Sequence, residues 1–185
     1  MIEIRLGDRY AKSILELAEE RKEVDKVRAD FQLIAAVCES NPDFVNMLKS
    51  PIISVTKKEA ILDQVFKGKL STITENLIQI IVRKHREKYL RDIAVRFLAL
   101  YDSRHNITRG VLSSATPLAA DHKKAIVELI EKELNTKFEL TEKVDPELIG
   151  GFQLLVGDKL FDGSIAARLR DLKQEFKNNP YVKKV

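Results

Sequence analysis

Apolar positions recur at helical spacing through the first hundred residues and shift toward alternation afterwards. Tyr10, Ala11, Ile14, Leu15 and Ala18 share one face of a helix, and Val24, Val27, Phe31, Ile34 and Cys38 share a second. Asn41-Pro42 places an N-cap and a first-turn proline before a short helix through Phe44 and Leu48, which Pro51 closes. Thr56-Lys-Lys-Glu59 has the capping-box pattern, opening a helix through Ile61, Leu62, Val65 and Phe66 that stops near Gly68. Ser71 or Thr72 opens a fifth, along Leu77, Ile78 and Ile81. A polar hinge from Arg83 to Lys88 leads to a sixth, along Leu90, Ile93, Ala94, Phe97 and Tyr101.

Asn106 and Gly110 interrupt this pattern. Val111 to Thr116 is small and β-branched, a strand that Pro117 ends, and Leu118 to Leu134 carries a helical stripe of Ile126, Leu129, Ile130 and Leu134. A weaker alternation spans Lys137 to Val144. The segment from Val144 to Leu172 is the densest in signals. Asp145-Pro146 reads as a turn, Gly150-Gly151 as a bulge or close approach, and Gly157-Asp158 as a two-residue hairpin. Asp162-Gly163-Ser164 supplies a turn and an N-cap for a helix with Ile165, Leu169, Leu172 and Phe176 on one face. The chain thus reads as an α+β protein. An N-terminal six-helix bundle spans residues 1–105, and a small C-terminal α/β domain with a short sheet and two helices spans 106–185, the boundary falling at 104–109.

Composition narrows the picture only a little. At 185 residues with 44% hydrophobic positions, one or two small cores can be buried, and 32% charged residues of both signs do not describe a disordered polyelectrolyte. The pI of about 9.1 invites a nucleic-acid reading, but a net charge of +4 spread over both parts is not a phosphate-binding face. A single cysteine, Cys38, excludes an internal disulfide and fits a reducing compartment. The N-terminal residues hold no apolar core of signal-peptide length, and no apolar run approaches a membrane span.

Candidate chemistry is sparse. There is neither a G-x-x-x-x-G-K-[ST] loop nor a G-x-G-x-x-G turn, and no Lys-Ser/Thr follows Gly150-Gly151. His85, His105 and His122 lie in separate segments, and neither H-E-x-x-H nor C-x-x-C occurs. Ser113-Ser114 lacks a glycine-flanked elbow. Glu19-Glu20 falls on a polar helix face. Catalytic, metal and cofactor-binding residues are therefore expected to be absent. The cluster from Arg83 to Arg91 is the one stretch suited to an anion, read either as a nucleic-acid or acidic-partner contact or as a solvated helix junction.

In order along the chain, R-Y-A-K-S-I-L-E-L-A (Arg9 to Ala18), L-K-S-P-I-I-S-V-T-K-K (Leu48 to Lys58), L-S-S-A-T-P-L (Leu112 to Leu118) and the V-D-P-E-L-I-G-G, V-G-D and D-G-S-I-A-A-R-L pieces of the densest segment resemble the δ subunit of bacterial F-type ATP synthases, whose mitochondrial counterpart is the oligomycin-sensitivity-conferring protein. The resemblance covers essentially the whole chain; the final N-P-Y-V-K-K-V carries no motif. It implies a non-catalytic stator subunit without a cofactor, one copy per complex, peripheral to the cytoplasmic face of the bacterial inner membrane and reaching the membrane only through the complex. It implies that the bundle holds the N-terminal helix of one α subunit and that the C-terminal domain engages the b subunit of the peripheral stalk. A basic helical nucleic-acid-binding protein is the alternative.

By that analogy the groove lies between the first and fifth helices. The candidates are Tyr10, Ala11 and Ile14 on one side and Leu77, Ile78 and Ile81 on the other, any of which is equally suited to fill the bundle core. Leu169, Leu172 and Phe176 are the candidates for the stalk, with the sheet as their competing neighbour.

Overall fold

The computed structural model describes the backbone of residues 2–178 and the side chains of residues 6–119 and 121–176; the last seven residues, without a family motif, lie outside the described part. The chain is mixed α+β and separates into two compact units, Met1–His105 and Asn106–Val185.

The first unit contains α1 (Ile2–Glu20), α2 (Val24–Ser40), α3 (Pro42–Lys49), α4 (Val55–Phe66), α5 (Thr72–Arg83) and α6 (Leu90–Arg104), with a 3-10 turn at Glu87–Tyr89 entering α6. Both α1 and α2 pack along α6. One stripe of α1 is kept small for this purpose: a Cβ on Gly7 would stand 3.6 Å from the Arg96 side chain and 3.8 Å from the Asp92 backbone, and Ala11 and Ala18 on the same stripe are fully buried. From α2, the Phe31 ring stacks on Phe97 of α6 with centroids 4.2 Å apart. Such a pair adds about 0.5–1.5 kcal/mol beyond the area it buries.

Helix ends depart from the sequence expectation in instructive ways. Thr56-Lys-Lys-Glu59 makes no capping box, because α4 begins at Val55 with Ser54 as its N-cap, which puts Thr56 inside the first turn. The N-terminus of α5 is capped from another helix. The buried Asp30 carboxylate of α2 accepts from Ser71 N–H at 2.9 Å, Ser71 Oγ at 2.5 Å and Thr74 Oγ1 at 2.7 Å. A negative charge there also complements the positive end of the α5 dipole. α1 and α5 end without glycine: Lys22 and His85 take left-handed φ values of 56° and 54°. The N–H of Glu23 then reaches Ala18 O and that of Arg86 reaches Ile81 O, the six-to-one bond of a Schellman motif.

The second unit holds a four-stranded sheet in the order β2-β1-β3-β4. β1 (Ile107–Ser114) crosses through α7 (Ala120–Leu134) to β2 (Lys137–Val144), the two strands parallel. A 3-10 turn at Pro146–Leu148 leads to β3 (Phe152–Val156), antiparallel to β1, then β4 (Lys159–Asp162) and α8 (Ile165–Asn178). β1 starts at Ile107, not Val111, and ends at Ser114, not Thr116. Gly110 is thus no interruption but a buried strand position, where a Cβ would come within 2.4 Å of the Phe138 ring. Without a side chain there, the ring lies across β1 and joins a core of Leu112, Ile130, Leu154 and Val156.

The dense segment folds largely as its residues predict. Gly157, at φ 57°, turns the hairpin between β3 and β4. Ser164 Oγ accepts from Ala167 N–H at 3.1 Å, capping α8. Gly151, at φ 80°, lets the chain pass close to the start of α8, since a Cβ there would meet Gly163 O at 2.4 Å. Ile149 also has positive φ, 63°, unusual for a β-branched residue, and remains mostly exposed.

Candidate partner-binding surfaces

Five of the six groove candidates are buried within the first unit: Ala11, Ile14, Leu77, Ile78 and Ile81. Ala11 belongs to the stripe that meets α6. Ile78 lines a cavity of ≈ 240 Å³ between α4 and α5, together with Leu62, Phe66, Leu70 and Gln79. Tyr10 differs. It is half-buried, and Leu6 and Leu17, also half-buried, lie on the same flank of α1. On α5, Ile80 is 49% exposed on the margin away from the α4 cavity. Leu17 and Ile80 escape the sequence reading because helical spacing identifies a stripe but not which edge of it neighbouring helices leave uncovered.

Tyr10 is fixed by the turn after α5. Arg86 Nη1 donates to Tyr10 Oη at 2.8 Å, and the guanidinium carbon stands 5.8 Å from the ring centroid. That turn is itself braced from inside. Lys58 Nζ donates to Glu87 Oε1 at 2.7 Å and to Leu48 O at 2.8 Å, with both side chains more than nine-tenths buried. Lys58 therefore joins the end of α3, the start of α4 and the turn before α6.

In the second unit, α8 is exposed on all sides from Arg168 to Phe176, its apolar stripe included: Leu169 is 53%, Leu172 48% and Phe176 78% exposed, with Ile165 at its start 46%. The sheet does not cover these side chains. Arg170 instead approaches Asp162 at 3.4 Å, holding the first turns of the helix beside β4. A second apolar surface is a cleft of ≈ 350 Å³ between α7 and the strands β3 and β4, lined by Ile126, Leu129, Ile130, Phe152, Leu154 and Phe161. On the opposite sheet face, Val111, Leu155 and Leu160 are in register across three strands and all exposed.

The titratable groups have structural roles. Burial pushes the Cys38 thiol upward, against the opposing charge of Arg91. Hydrogen bonds from Ser164 lower Asp162, and the Lys123 ammonium, followed by Leu118 N–H, lowers Glu142. Among the described residues no helix is long and apolar enough to cross a membrane, and no group of three or more His, Cys, Asp or Glu could hold a metal ion.

Two compact units, each leaving apolar helix or sheet surface uncovered, describe a protein built for contact with other chains. The profile of the ATP synthase delta (OSCP) subunit family matches residues 6–176. The chain is 35% identical over 176 residues to "ATP synthase subunit delta" of Cytophaga hutchinsonii, covering 95% of this chain and 96% of that one. It is 33% identical over 167 residues to the protein of the same name from Prochlorococcus marinus, covering 90% and 92%. Its fold matches a chain in the cryo-EM structure of the Toxoplasma gondii mitochondrial ATP synthase hexamer with a TM-score of 0.66 and 26% identity, covering 94% of this chain and 98% of that chain. The chain belongs to the ATP synthase delta (OSCP) subunit family. It is a non-catalytic stator subunit, linking the catalytic head to the peripheral stalk so that proton-driven rotation is coupled to ATP synthesis. The nucleic-acid alternative gives way to this assignment.

Proposed function

We propose that α1–α6 form a six-helix bundle holding the N-terminal helix of one α subunit, and that the second unit, residues 106–185, engages the b subunit of the peripheral stalk. The bundle's groove runs between α1 and α5. Its rim is the half-buried flank of α1, with Tyr10 and Leu17, facing Ile80 on α5. Ile14, Leu77 and Ile81 form the buried floor beneath that rim, while Ala11 seats α1 on α6 and Ile78 faces the cavity beside α4. The observation that carries this reading is Tyr10: an aromatic side chain left partly exposed on a packed helix, yet fixed by Arg86. A rigid amphipathic ring is a low-entropy anchor for an incoming apolar helix.

On the second unit, Leu169, Leu172 and Phe176 form the stalk contact, supported by an apolar stripe that this chain leaves uncovered. One copy serves each complex, at the cytoplasmic face of the bacterial inner membrane, and the protein meets the membrane only through its partners. The bacterial origin of the two sequence relatives, from Cytophaga hutchinsonii and Prochlorococcus marinus, supports that location. Reconstitution tests the role. Adding the purified chain to membranes stripped of their own copy should restore proton-driven ATP synthesis. Full recovery in its absence would refute the proposal.

A further inference from the structure

We propose that Arg83, Lys84 and Arg86 form a cationic rim at the α5 end of the groove and select acidic side chains on the helix held there. This rests on the α1–α5 groove proposed above and adds the charge of its occupant. The segment from Arg83 to Arg91 contains five Lys or Arg residues and one acid, Glu87. The fold withdraws that acid. Glu87 is buried and paired with Lys58 at 2.7 Å, so it cannot neutralise the surface around it. The outward side of the turn is left cationic.

The cations are not needed to close the end of α5. Three backbone donors close it instead, with Lys84 N–H on Ile80 O at 3.1 Å, His85 N–H on Val82 O at 2.9 Å and Arg86 N–H on Ile81 O at 2.9 Å. Arg83 and Lys84 are exposed and make no ion pair with another described residue. Arg86 lies against Tyr10, whose neutral hydroxyl uses one guanidinium donor and leaves the charge intact. Like charges held this close repel, and an anion compensates them. Arg86 sets this cationic turn beside the half-buried flank of α1, which fits an anion borne on an amphipathic helix. A nucleic-acid backbone, held through several phosphates at once, would call for a longer basic track.

The test is association kinetics of the full chain with a synthetic peptide covering the N-terminal helix of the α subunit, at low and physiological salt. Arg83→Gln/Lys84→Gln changes two exposed residues, so the fold is retained. The double variant should associate about tenfold more slowly at low salt, with dissociation nearly unchanged. Replacing the peptide's Asp and Glu by Asn and Gln should reproduce the loss, and combining both changes should add nothing. Unchanged association in the double variant overturns the rim while leaving the groove standing. Failure of the unaltered chain to bind the peptide overturns both. Salt-dependent binding of duplex DNA that the double variant loses, with peptide kinetics unchanged, would assign the cations to nucleic acid and overturn the rim.

Discussion

Arg86 donates to the hydroxyl of Tyr10 at 2.8 Å, joining residues 76 positions apart and tying the turn after α5 to the flank of α1. Tyr10→Phe keeps the ring and removes the acceptor. The expected loss in urea unfolding of the full chain is about 0.5–1.5 kcal/mol, the net worth of one hydrogen bond.

Behind that turn, Lys58 and Glu87 are buried together, and Glu87 Oε2 has no further partner among the described residues. Removing one charge strands the other. Lys58→Met should cost about 3–5 kcal/mol, whereas the double change Lys58→Met/Glu87→Leu should recover most of the loss, because an apolar pair of similar volume needs no desolvation of charge. Thermal melts of the three proteins check the order.

Acid should weaken the second unit through two carboxylates. Hydrogen bonds from Ser164 depress Asp162, and Lys123 depresses Glu142, below the usual carboxylate range. A folded-state pKa lower than the unfolded one means that unfolding takes up protons. The stabilisation is therefore present above the unfolded value, about pH 4, and is lost as pH falls through the lowered folded values. Amide signals of the second unit, followed by NMR, should hold from neutral pH to about pH 5 and fade in stronger acid. Asp162→Asn/Glu142→Gln should lower stability at neutral pH and flatten the acid dependence.

Local signals in the sequence suffice for most elements. The stripes of α2 and α6, the Gly157-Asp158 hairpin and the Ser164 cap each depend on residues within a few positions of one another. What stays hidden depends on distance. Asp30 caps α5 from 41 residues upstream, and Lys58 meets Glu87 across 29. Gly110 reads as a break because the Phe138 ring that covers it comes from another strand. The candidate groove shows the same limit. Spacing finds Ile14 and Leu77, which the unit buries, and passes over Leu17 and Ile80, whose exposure is set by how neighbouring helices are placed.

The outward stripe of α8 separates binding from stability. Leu169→Ser/Phe176→Ser alters side chains that are 53% and 78% exposed. Unfolding of the chain should change by no more than about 0.5 kcal/mol per site, the usual size for surface substitutions. Capture of the b subunit should fall by about tenfold or more in a pull-down titration, as loss of apolar anchors predicts.

The most direct measurement is calorimetric titration of the full chain with the α-subunit N-terminal helix peptide. A saturable one-to-one isotherm with micromolar or tighter affinity, weakened by Ile80→Ser and Leu17→Ser, is the predicted result. No heat of binding at micromolar concentrations, or an isotherm indifferent to both substitutions, would contradict the assignment of the first unit as the grip on the catalytic head.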